Sequence, residues 1–221
     1  MGYNALRLAL VGALLYGTRR FYRNWGATKE ECKTVLPGDE LVKSPAVQTT
    51  EAVSIDASAA SVWPWLVQIG QEPGGLCNFE VVESLVGLRF QDAGRLHPER
   101  QQLNVGDVVQ LAPKGWLGLR SGIALRVVDV VPAERIVLRA SPPELPWDAV
   151  WSFHILPHWE DRTRLLVRLR TGIRRPGEVL AAELAGPLIA LLTRGILRGI
   201  KRRAEELTQG YDTAKNRAVA D

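Results

Sequence analysis

The chain has 221 residues, of which 46% are hydrophobic and 24% are charged. This balance excludes a disordered chain and allows a sizeable core. The net charge of +4 is mildly basic, which suits an anionic surface but is more often a solvated face. Two cysteines in no CxxC pair, Cys32 and Cys77, are expected to be free thiols in a reducing, cytoplasmic setting. Three scattered histidines favour no metal site.

The first segment, residues 1–24, is an apolar and basic arm. Its apolar run at 3–17 contains Arg7 and is shorter than the roughly 20 apolar residues that a membrane-spanning helix needs. TRRFYRNW follows, with basic and aromatic residues interleaved as at a membrane interface. Two interpretations stay open: residues 3–23 bind a membrane surface, as an anchor or an interfacial helix, or they pack on the domain or on a second subunit.

Residues 25–50 are predicted to be a linker with one short helix. Thr28 and Glu31 have the spacing of a capping box, which predicts that a helix begins there. Pro37-Gly38 predicts a turn. The folded domain is expected to begin at Glu51.

The first part of that domain is predicted to be a strand followed by helices. EAVSID at 51–56 has the pattern of a strand, and the helix after it starts at Ser58 or Ser61. Residues 76–90 have apolar positions at helical spacing, and residues 91–104 have the composition of a polar loop. Helices inserted after a first strand are one sign of the α+β class.

Strand signals then follow in series with short connections, which predicts an antiparallel meander. The predicted strands are 106–112, 123–131, 135–140, 148–156 and 163–171. Alternation places Trp151 and Phe153 on one face of the sheet and His154 on the other. Several arginines fall mostly on one side of the last strand and beyond it, which predicts a solvated sheet face: Arg164, Arg168, Arg170, Arg174 and Arg175.

The final element is a long helix, predicted over 176–209, with a flexible tail at 211–221 after Gly210. Its apolar positions recur at three and four residues, which predicts one buried face made of Leu180, Leu184, Leu188, Leu191, Leu192, Ile196 and Ile200. Strands followed by a long packing helix predict the α+β class.

Several motifs resemble those of a bacterial group within the START-like, or SRPBCC, superfamily, which includes polyketide cyclases. They are VWPWLVQIGQEPGG at 62–75, WGAT at 25–28, PGDEL at 37–41 and RGIKRRAE at 198–205. The resemblance implies a helix-grip domain over 51–210, in which a curved antiparallel sheet wraps around the C-terminal helix. It also implies a cavity between sheet and helix.

Such cavities are mostly apolar with a few placed polar groups. The residues expected to bind a ligand there are Trp65, Asn78, Phe79, Glu83, Trp151, Phe153, Leu184, Leu188 and Leu191. Asn78 and Glu83 are expected to orient a polar head group. No cofactor is expected, because no phosphate-binding loop or dinucleotide fingerprint occurs.

Three functions follow as alternatives. The first is binding or transport of a hydrophobic small molecule or lipid in the cavity, at or near a membrane and without nucleic acid. The second is a cyclase- or dehydratase-like enzyme that uses a carboxylate of the Glu80–Glu83 pair or the imidazole of His154. The third is an interaction module with a filled core. A cavity with an unpaired buried carboxyl or imidazole would favour the enzyme.

Overall fold

The computed structural model describes residues 23–69, 96–98, 101–112, 123–140, 148–159, 161–173 and 176–220, together with positions 6, 7, 10, 13, 14, 17 and 19. Several residues singled out in the sequence lie outside the described residues: Cys77, Asn78, Phe79, Glu80, Glu83, Arg174 and Arg175. The predicted helix at 76–90 lies outside them as well.

A single antiparallel sheet and one long helix dominate the described structure. The sheet has six strands in the order β1-β6-β5-β4-β3-β2, so the last five strands of the chain form the predicted meander. In chain order the elements are α1 (Lys29–Lys33), a 3-10 helix (Asp39–Val42), β1 (Val47–Ile55), α2 (Ala59–Ile69), β2 (Val108–Ala112), β3 (Ile123–Val131), β4 (Arg135–Ala140), β5 (Asp148–Trp159), β6 (Arg162–Gly172) and α3 (Pro176–Ala220). The predicted α+β class, a curved sheet with a long C-terminal helix, is confirmed.

Three predicted boundaries are wrong. Strand β1 begins at Val47 rather than Glu51, because its first residues already pair with β6 from Thr171 onward. Helix α3 runs through Gly210 to Ala220, so residues 211–220 are helical rather than a loose tail. A glycine costs a helix only about 1 kcal/mol relative to alanine, and no proline follows it here. Strand β5, predicted to end at residue 156, continues to Trp159.

The concave face of the sheet packs against α2 and α3. Inward-facing residues of β1, β6 and β5 stand in rows, because the register pairs Thr49 with Leu169 and Leu169 with Trp151. The next row is Glu51, Val167 and Phe153. Trp151 and Phe153 belong to the main apolar core, as the predicted alternation on β5 required.

The convex face is covered by residues 25–46, which therefore belong to the domain and are not a linker. The predicted capping box is present, since Thr28 Oγ1 accepts from Glu31 N–H and the Glu31 carboxylate accepts from Thr28 N–H. Small apolar clusters join this segment to the sheet, one through Leu36 and Leu166 and another through Val42 and Val150.

Arginine side chains hold that segment in place, so the prediction that they form a solvated face is wrong for those described. Arg168 is 1% exposed. Its guanidinium donates to Thr50 Oγ1 at 3.1 Å, Thr34 O at 2.7 Å, Glu31 O at 2.6 Å and Asp39 Oδ2 at 2.7 Å. A guanidinium has five N–H donors in a rigid fork, which suits it to bind several carbonyl groups at once.

The flanking arginines of β6 act in the same way. Arg164 binds the Glu31 carboxylate through two hydrogen bonds of 2.8 and 2.9 Å, and those bonds lower the pKa of Glu31. Arg170 donates to Val42 O at 3.1 Å. Bidentate arginine–carboxylate pairs fix orientation as well as adding energy. The segment is therefore held to the convex face at several points along its length.

Residues Trp25 and Gly26 carry the chain across β1, at one edge of the sheet. Ala52 N–H donates to Trp25 O at 3.0 Å. Gly26 has φ of +71°, and a Cβ built there would lie 2.2 Å from Ala52 O. Only glycine fits this crossing, because it needs both a left-handed backbone and a close approach.

The arm is helical at each of its described positions through Arg23, and Asn24 lies in a turn. Leu6, Leu10 and Leu14 are 60–67% exposed there. Among the described residues, no helix is long and apolar enough to cross a membrane.

Candidate functional site

Helix α3 packs on the sheet differently along its length. Its central part, from Ala190 to Ala204, contributes fully buried side chains such as Ile196, Leu197 and Ile200 to the core. Before Ala190 the described side chains are only partly buried or exposed, and small residues face the sheet. Small residues on one side cannot fill the space that the curved sheet leaves.

A cavity of about 50 Å³ lies in that space. Its sheet walls are inward-facing residues of β1 and β6, and its helix walls come from the first turns of α3, with Arg23 at its margin. The lining residues are Arg23, Val47, Thr49, Leu169, Thr171, Ala182, Ala185, Gly186 and Ile189. Arg23 is fixed by an ion pair with Glu183 at 2.5 Å. The lining is mainly apolar, with two threonine hydroxyls.

One row further along the sheet from the cavity wall, Glu51 buries its carboxyl group. The side chain is 2% exposed, and Oε2 has no hydrogen-bond partner. Its charged neighbour is Arg194, whose Nε lies 3.5 Å from Oε2. The Arg194 guanidinium also stacks on the Trp25 ring, 5.4 Å from its centroid. Burial raises the pKa of Glu51 to about 8 even though Arg194 opposes the shift.

Two indole groups in the same layer also lack partners. The Nε1 atoms of Trp65 and Trp151 are buried and make no hydrogen bond. Trp151 stands beside the cavity-lining Leu169 in the sheet. Buried polar groups are nearly always paired, so each exception needs an explanation. Three such atoms in one layer mark this region as the chemically unusual part of the described interior.

The structure corrects the predicted buried face of α3. Leu191 is 45% exposed and points away from the cavity and the core. Leu188 is partly exposed and does not line the cavity. The side chain of Leu184 is outside the described residues. The prediction is confirmed at Ile196 and Ile200, which are buried in the core, and wrong at Leu191. Leucines occur on two sides of this helix, whereas Ala182, Ala185 and Gly186 line the cavity against the sheet.

The remaining predicted site residues fall in two places. Trp65, Trp151 and Phe153 belong to the main core, with Trp151 closest to the cavity in the sheet rows. Ligand contact by these residues stays a prediction. Asn78, Phe79 and Glu83 lie outside the described residues.

His154 cannot serve a cavity on the α3 side, because it lies on the convex face. It is 3% exposed, and its Nε2 makes no hydrogen bond. Burial lowers its pKa to about 4, with Arg168 adding to the shift. The expectation that His154 acts inside the cavity is therefore wrong, and the alternation of β5 already placed it on the other side.

Glu51 was missed as a site residue in the sequence analysis, where it was taken only as the start of the domain. A signal was present: Glu51 has the same parity as Val47, Thr49, Val53 and Ile55, which form the inward face of β1. A carboxylate on the apolar side of an alternating strand is rare without a partner.

Two other possibilities, a surface depression and a metal centre, do not give a candidate site in the described structure. An open depression of about 350 Å³ lies along the C-terminal part of α3, where Lys201 pairs with Glu205 at 2.9 Å and Arg202 with Glu206 at 3.9 Å. These i,i+4 pairs are typical of a solvated helix face. Within the part of the chain that the structure describes, no three His, Cys, Asp or Glu residues gather as metal ligands.

Known structures share this fold. The di-domain ARO/CYC protein StfQ of the steffimycin biosynthetic pathway aligns with a TM-score of 0.50 at 17% identity, over 77% of this chain and 54% of that one. A norcoclaurine synthase from Thalictrum aligns with a TM-score of 0.44 at 16% identity, over 75% and 98% of the two chains. A protein from Thermobifida fusca gives 0.40 at 16% identity, over 67% and 92%. No protein-family model matches the sequence, and neither does any curated protein sequence.

Proposed function

We propose that this chain, which has the helix-grip fold of the START-like superfamily, binds a hydrophobic small molecule or lipid between its sheet and the first turns of α3. The observation that carries the proposal is the cavity along Ala182, Ala185 and Gly186. A helix meant only to close the core would present large side chains at those positions, as α3 does at Ile196 and Ile200.

The size of the cavity sets a condition on binding. Pockets for small molecules measure about 300–1,000 Å³, whereas this cavity measures about 50 Å³. The ligand must therefore move the first turns of α3 away from the sheet. The partial burial of Ala182, Ala185, Gly186 and Ile189 supports such a movement, since few apolar contacts oppose it. The Arg23–Glu183 ion pair would have to move or break at the same time.

Titration with the neutral apolar dye N-phenyl-1-naphthylamine tests the proposal. We expect saturable fluorescence enhancement with the wild type, because the dye leaves water for the apolar groove. Ala185→Phe should reduce the affinity about tenfold or more, since the added ring occupies the space between helix and sheet. Leu191→Phe is the matched control, with an aromatic ring added to the exposed side of the same helix.

Two results would contradict binding in the groove. One is equal dye affinity for wild type, Ala185→Phe and Leu191→Phe, which would move the dye to another surface. The other is no saturable binding to the folded wild type at all, which would favour the interaction module.

An enzyme that transfers a proton in the same groove is the second candidate, and the buried Glu51 carboxyl supports it. A carboxyl with a pKa near 8 is matched to acid–base chemistry near neutral pH. Native mass spectrometry of gently purified protein separates the two candidates. An enzyme should retain different compounds in wild type and Glu51→Gln, whereas a binding protein should retain the same compound in both.

The N-terminal arm supports a further part of the proposal, an attachment to an anionic membrane surface. Leu6, Leu10 and Leu14 are spaced four residues apart, so they form one stripe on a helix, and all three are exposed. Basic residues accompany the stripe at Arg7 and Arg19. Apolar burial combined with attraction to anionic lipid is the usual basis of interfacial binding.

Sedimentation with vesicles tests this attachment. We expect binding to phosphatidylcholine vesicles that contain one-fifth phosphatidylserine, and at least about tenfold weaker binding after the triple change of Leu6, Leu10 and Leu14 to Gln. The control changes three exposed valines elsewhere to Gln: Val35, Val105 and Val108. Full-length protein that ignores these vesicles would refute the attachment, and an equal loss in both triple variants would show that the arm has no special role.

A further inference from the structure

We infer that Glu51 is the polar anchor of the groove and that the ligand is an apolar molecule with an uncharged hydroxyl at the end inserted first. This inference rests on the proposed function and specifies its ligand. Three observations support it: the position of the Glu51 carboxyl in the sheet, the lack of a hydrogen-bond partner for Oε2, and the charge of the neighbouring Arg194.

Glu51 lies one inward-facing position beyond the cavity lining, toward the packed part of the domain. Thr49 lines the cavity, and Glu51 is the next inward-facing residue of β1, about 7 Å further along the strand. Across the sheet Val167 follows the cavity-lining Leu169 in the same direction. On the helix, Arg194 lies beyond the cavity-lining Ile189, toward the packed part of α3. A chain that enters between the helix and the sheet meets this carboxyl where the apolar lining ends.

The carboxyl has bonding capacity that the protein leaves unused. Oε2 makes no hydrogen bond, and its ion pair with Arg194 is long at 3.5 Å. The fold gains little from such a group, because a buried carboxyl with an unmet hydrogen bond is less favourable than an apolar side chain of the same shape. A ligand oxygen within reach of Oε2 would complete its hydrogen bonding.

The neighbouring charge selects the ligand's head group. An ammonium head would approach the Arg194 guanidinium, which lies 3.5 Å from the same oxygen. A carboxylate head would have to leave water for a buried site where Arg194 already contacts Glu51 at 3.5 Å and stacks on Trp25. A hydroxyl meets neither difficulty, and it can both donate to and accept from a carboxyl group. Transferring it from water also costs far less than transferring a charge.

The test displaces N-phenyl-1-naphthylamine with three ten-carbon competitors: decan-1-ol, decanoate and decylamine. In the wild type we expect decan-1-ol to compete at least about tenfold better than either charged molecule. In Glu51→Leu that preference should fall to within about threefold. Glu51→Gln should retain it, since the amide still donates and accepts hydrogen bonds. Thr49→Val, which removes a hydroxyl from the cavity wall, tests whether that hydroxyl is the anchor instead. Leu191→Phe, on the exposed side of α3, is the control and should retain the preference.

Each other outcome has a definite meaning. Equal displacement by the three competitors, or an unchanged preference in Glu51→Leu, overturns the anchor while leaving groove binding intact. Loss of the preference in Thr49→Val alone transfers the anchor to Thr49 and refutes Glu51. Failure of the wild type to bind the dye at all refutes the proposed function and the anchor with it.

Discussion

Both faces of the sheet bury ionisable side chains, and Arg168 on the convex face and Glu51 on the concave face differ in how they are partnered. On the convex face Arg168 makes four hydrogen bonds, one of them to the buried Asp39 carboxylate. On the concave face Glu51 has one long contact with Arg194 and an oxygen without a hydrogen bond. A buried group whose hydrogen bonds are all made fixes the structure around it. A buried group that lacks hydrogen-bond partners contributes little to the stability of the fold.

This difference assigns different roles to the two faces. The arginine network joins residues 26–43 to the sheet through backbone carbonyls, so its role is to stabilise the fold. The Glu51 carboxyl lies between an apolar cavity and the packed core, and its one ion-pair contact is the 3.5 Å approach to Arg194. We therefore expect convex-face variants to change stability and concave-face variants to change binding.

The largest expected effect is that of Arg168→Leu. Removing one partner of a buried ion pair costs about 3–5 kcal/mol, because the other charge stays buried without compensation. Here that charge is Asp39, which would lose its 2.7 Å ion pair with Arg168 and keep the one with Arg170 at 3.1 Å, so we expect the lower end of this range. Three carbonyl or hydroxyl acceptors lose their donor as well. Urea unfolding should show the loss directly. A change below about 1 kcal/mol would mean that the network contributes little and that the contrast between the faces is false.

A second variant tests the attachment of the convex segment at the sheet edge. Gly26→Ala should destabilise the domain by about 2–4 kcal/mol, because a left-handed backbone and a steric clash with Ala52 O act together. Gly106→Ala is the matched control, since Gly106 also has a positive φ but nothing within 4 Å of the added Cβ. Its cost should be about 1–2 kcal/mol. Equal melting temperatures for the two variants would contradict the close crossing over β1.

Glu51 on the concave face and His154 on the convex face should make stability depend on pH in opposite directions. The pKa of Glu51 rises from 4.5 to about 8 on folding. Between those values the folded state keeps a proton that the unfolded chain has lost, so stability falls as the pH rises through this window. The pKa of His154 falls from 6.5 to about 4. Here the unfolded chain binds the extra proton, so stability falls as the pH drops from 6.5 toward 4.

Urea unfolding between pH 4 and 9 measures both limbs, each of up to a few kcal/mol. Glu51→Gln should flatten the alkaline limb, where Arg194 is the facing charge. His154→Gln should flatten the acidic limb, where Arg168, Asp39, Arg135 and Asp129 surround the imidazole. A Glu51→Gln profile parallel to that of the wild type above pH 6 would show that the carboxyl is ionised in the folded protein.

The smallest expected change in stability is that of Glu51→Leu at pH 7. At pH 7 a carboxyl with a pKa of about 8 is mostly protonated, so its replacement by leucine breaks no buried ion pair and removes a buried polar group with an unmet hydrogen bond. We expect a change in unfolding free energy between about zero and a gain of 2 kcal/mol, measured beside Arg168→Leu. A loss of several kcal/mol would show that Glu51 supports the fold as Arg168 does.

Much of the fold could be predicted from the sequence because its signals are local. Strands β3 and β4 have the predicted bounds, and the alternation on β5 gave the correct face for Trp151, Phe153 and His154. The capping box at Thr28 is equally local. Patterns of this kind depend on the period of the element and not on what packs against it.

The site needed information that one segment of sequence does not contain. A row of arginines has the same pattern whether it faces water or the carbonyls of residues 25–46. Leucines on two sides of α3 concealed that its small residues face the sheet. The alternation within its own segment of sequence does not establish that Glu51 is buried; its burial follows from the strand register, which pairs it with Val167 inside the domain. Each error arose from a contact between segments far apart in the chain.

The covering of β1 has a consequence for the solubility of shortened forms of the protein. An edge strand offers unpaired backbone groups to other strands, which promotes aggregation. Here Trp25 O accepts from Ala52 N–H, Lys201 Nζ donates to Ser54 O at 2.7 Å, and Glu205 accepts from Asp56 N–H at 2.9 Å. A truncation that removes the apolar arm together with Trp25 would expose part of this edge. Such a truncation should increase the tendency to form intermolecular β-sheet. This result would be the opposite of what removing an exposed apolar segment is usually meant to achieve.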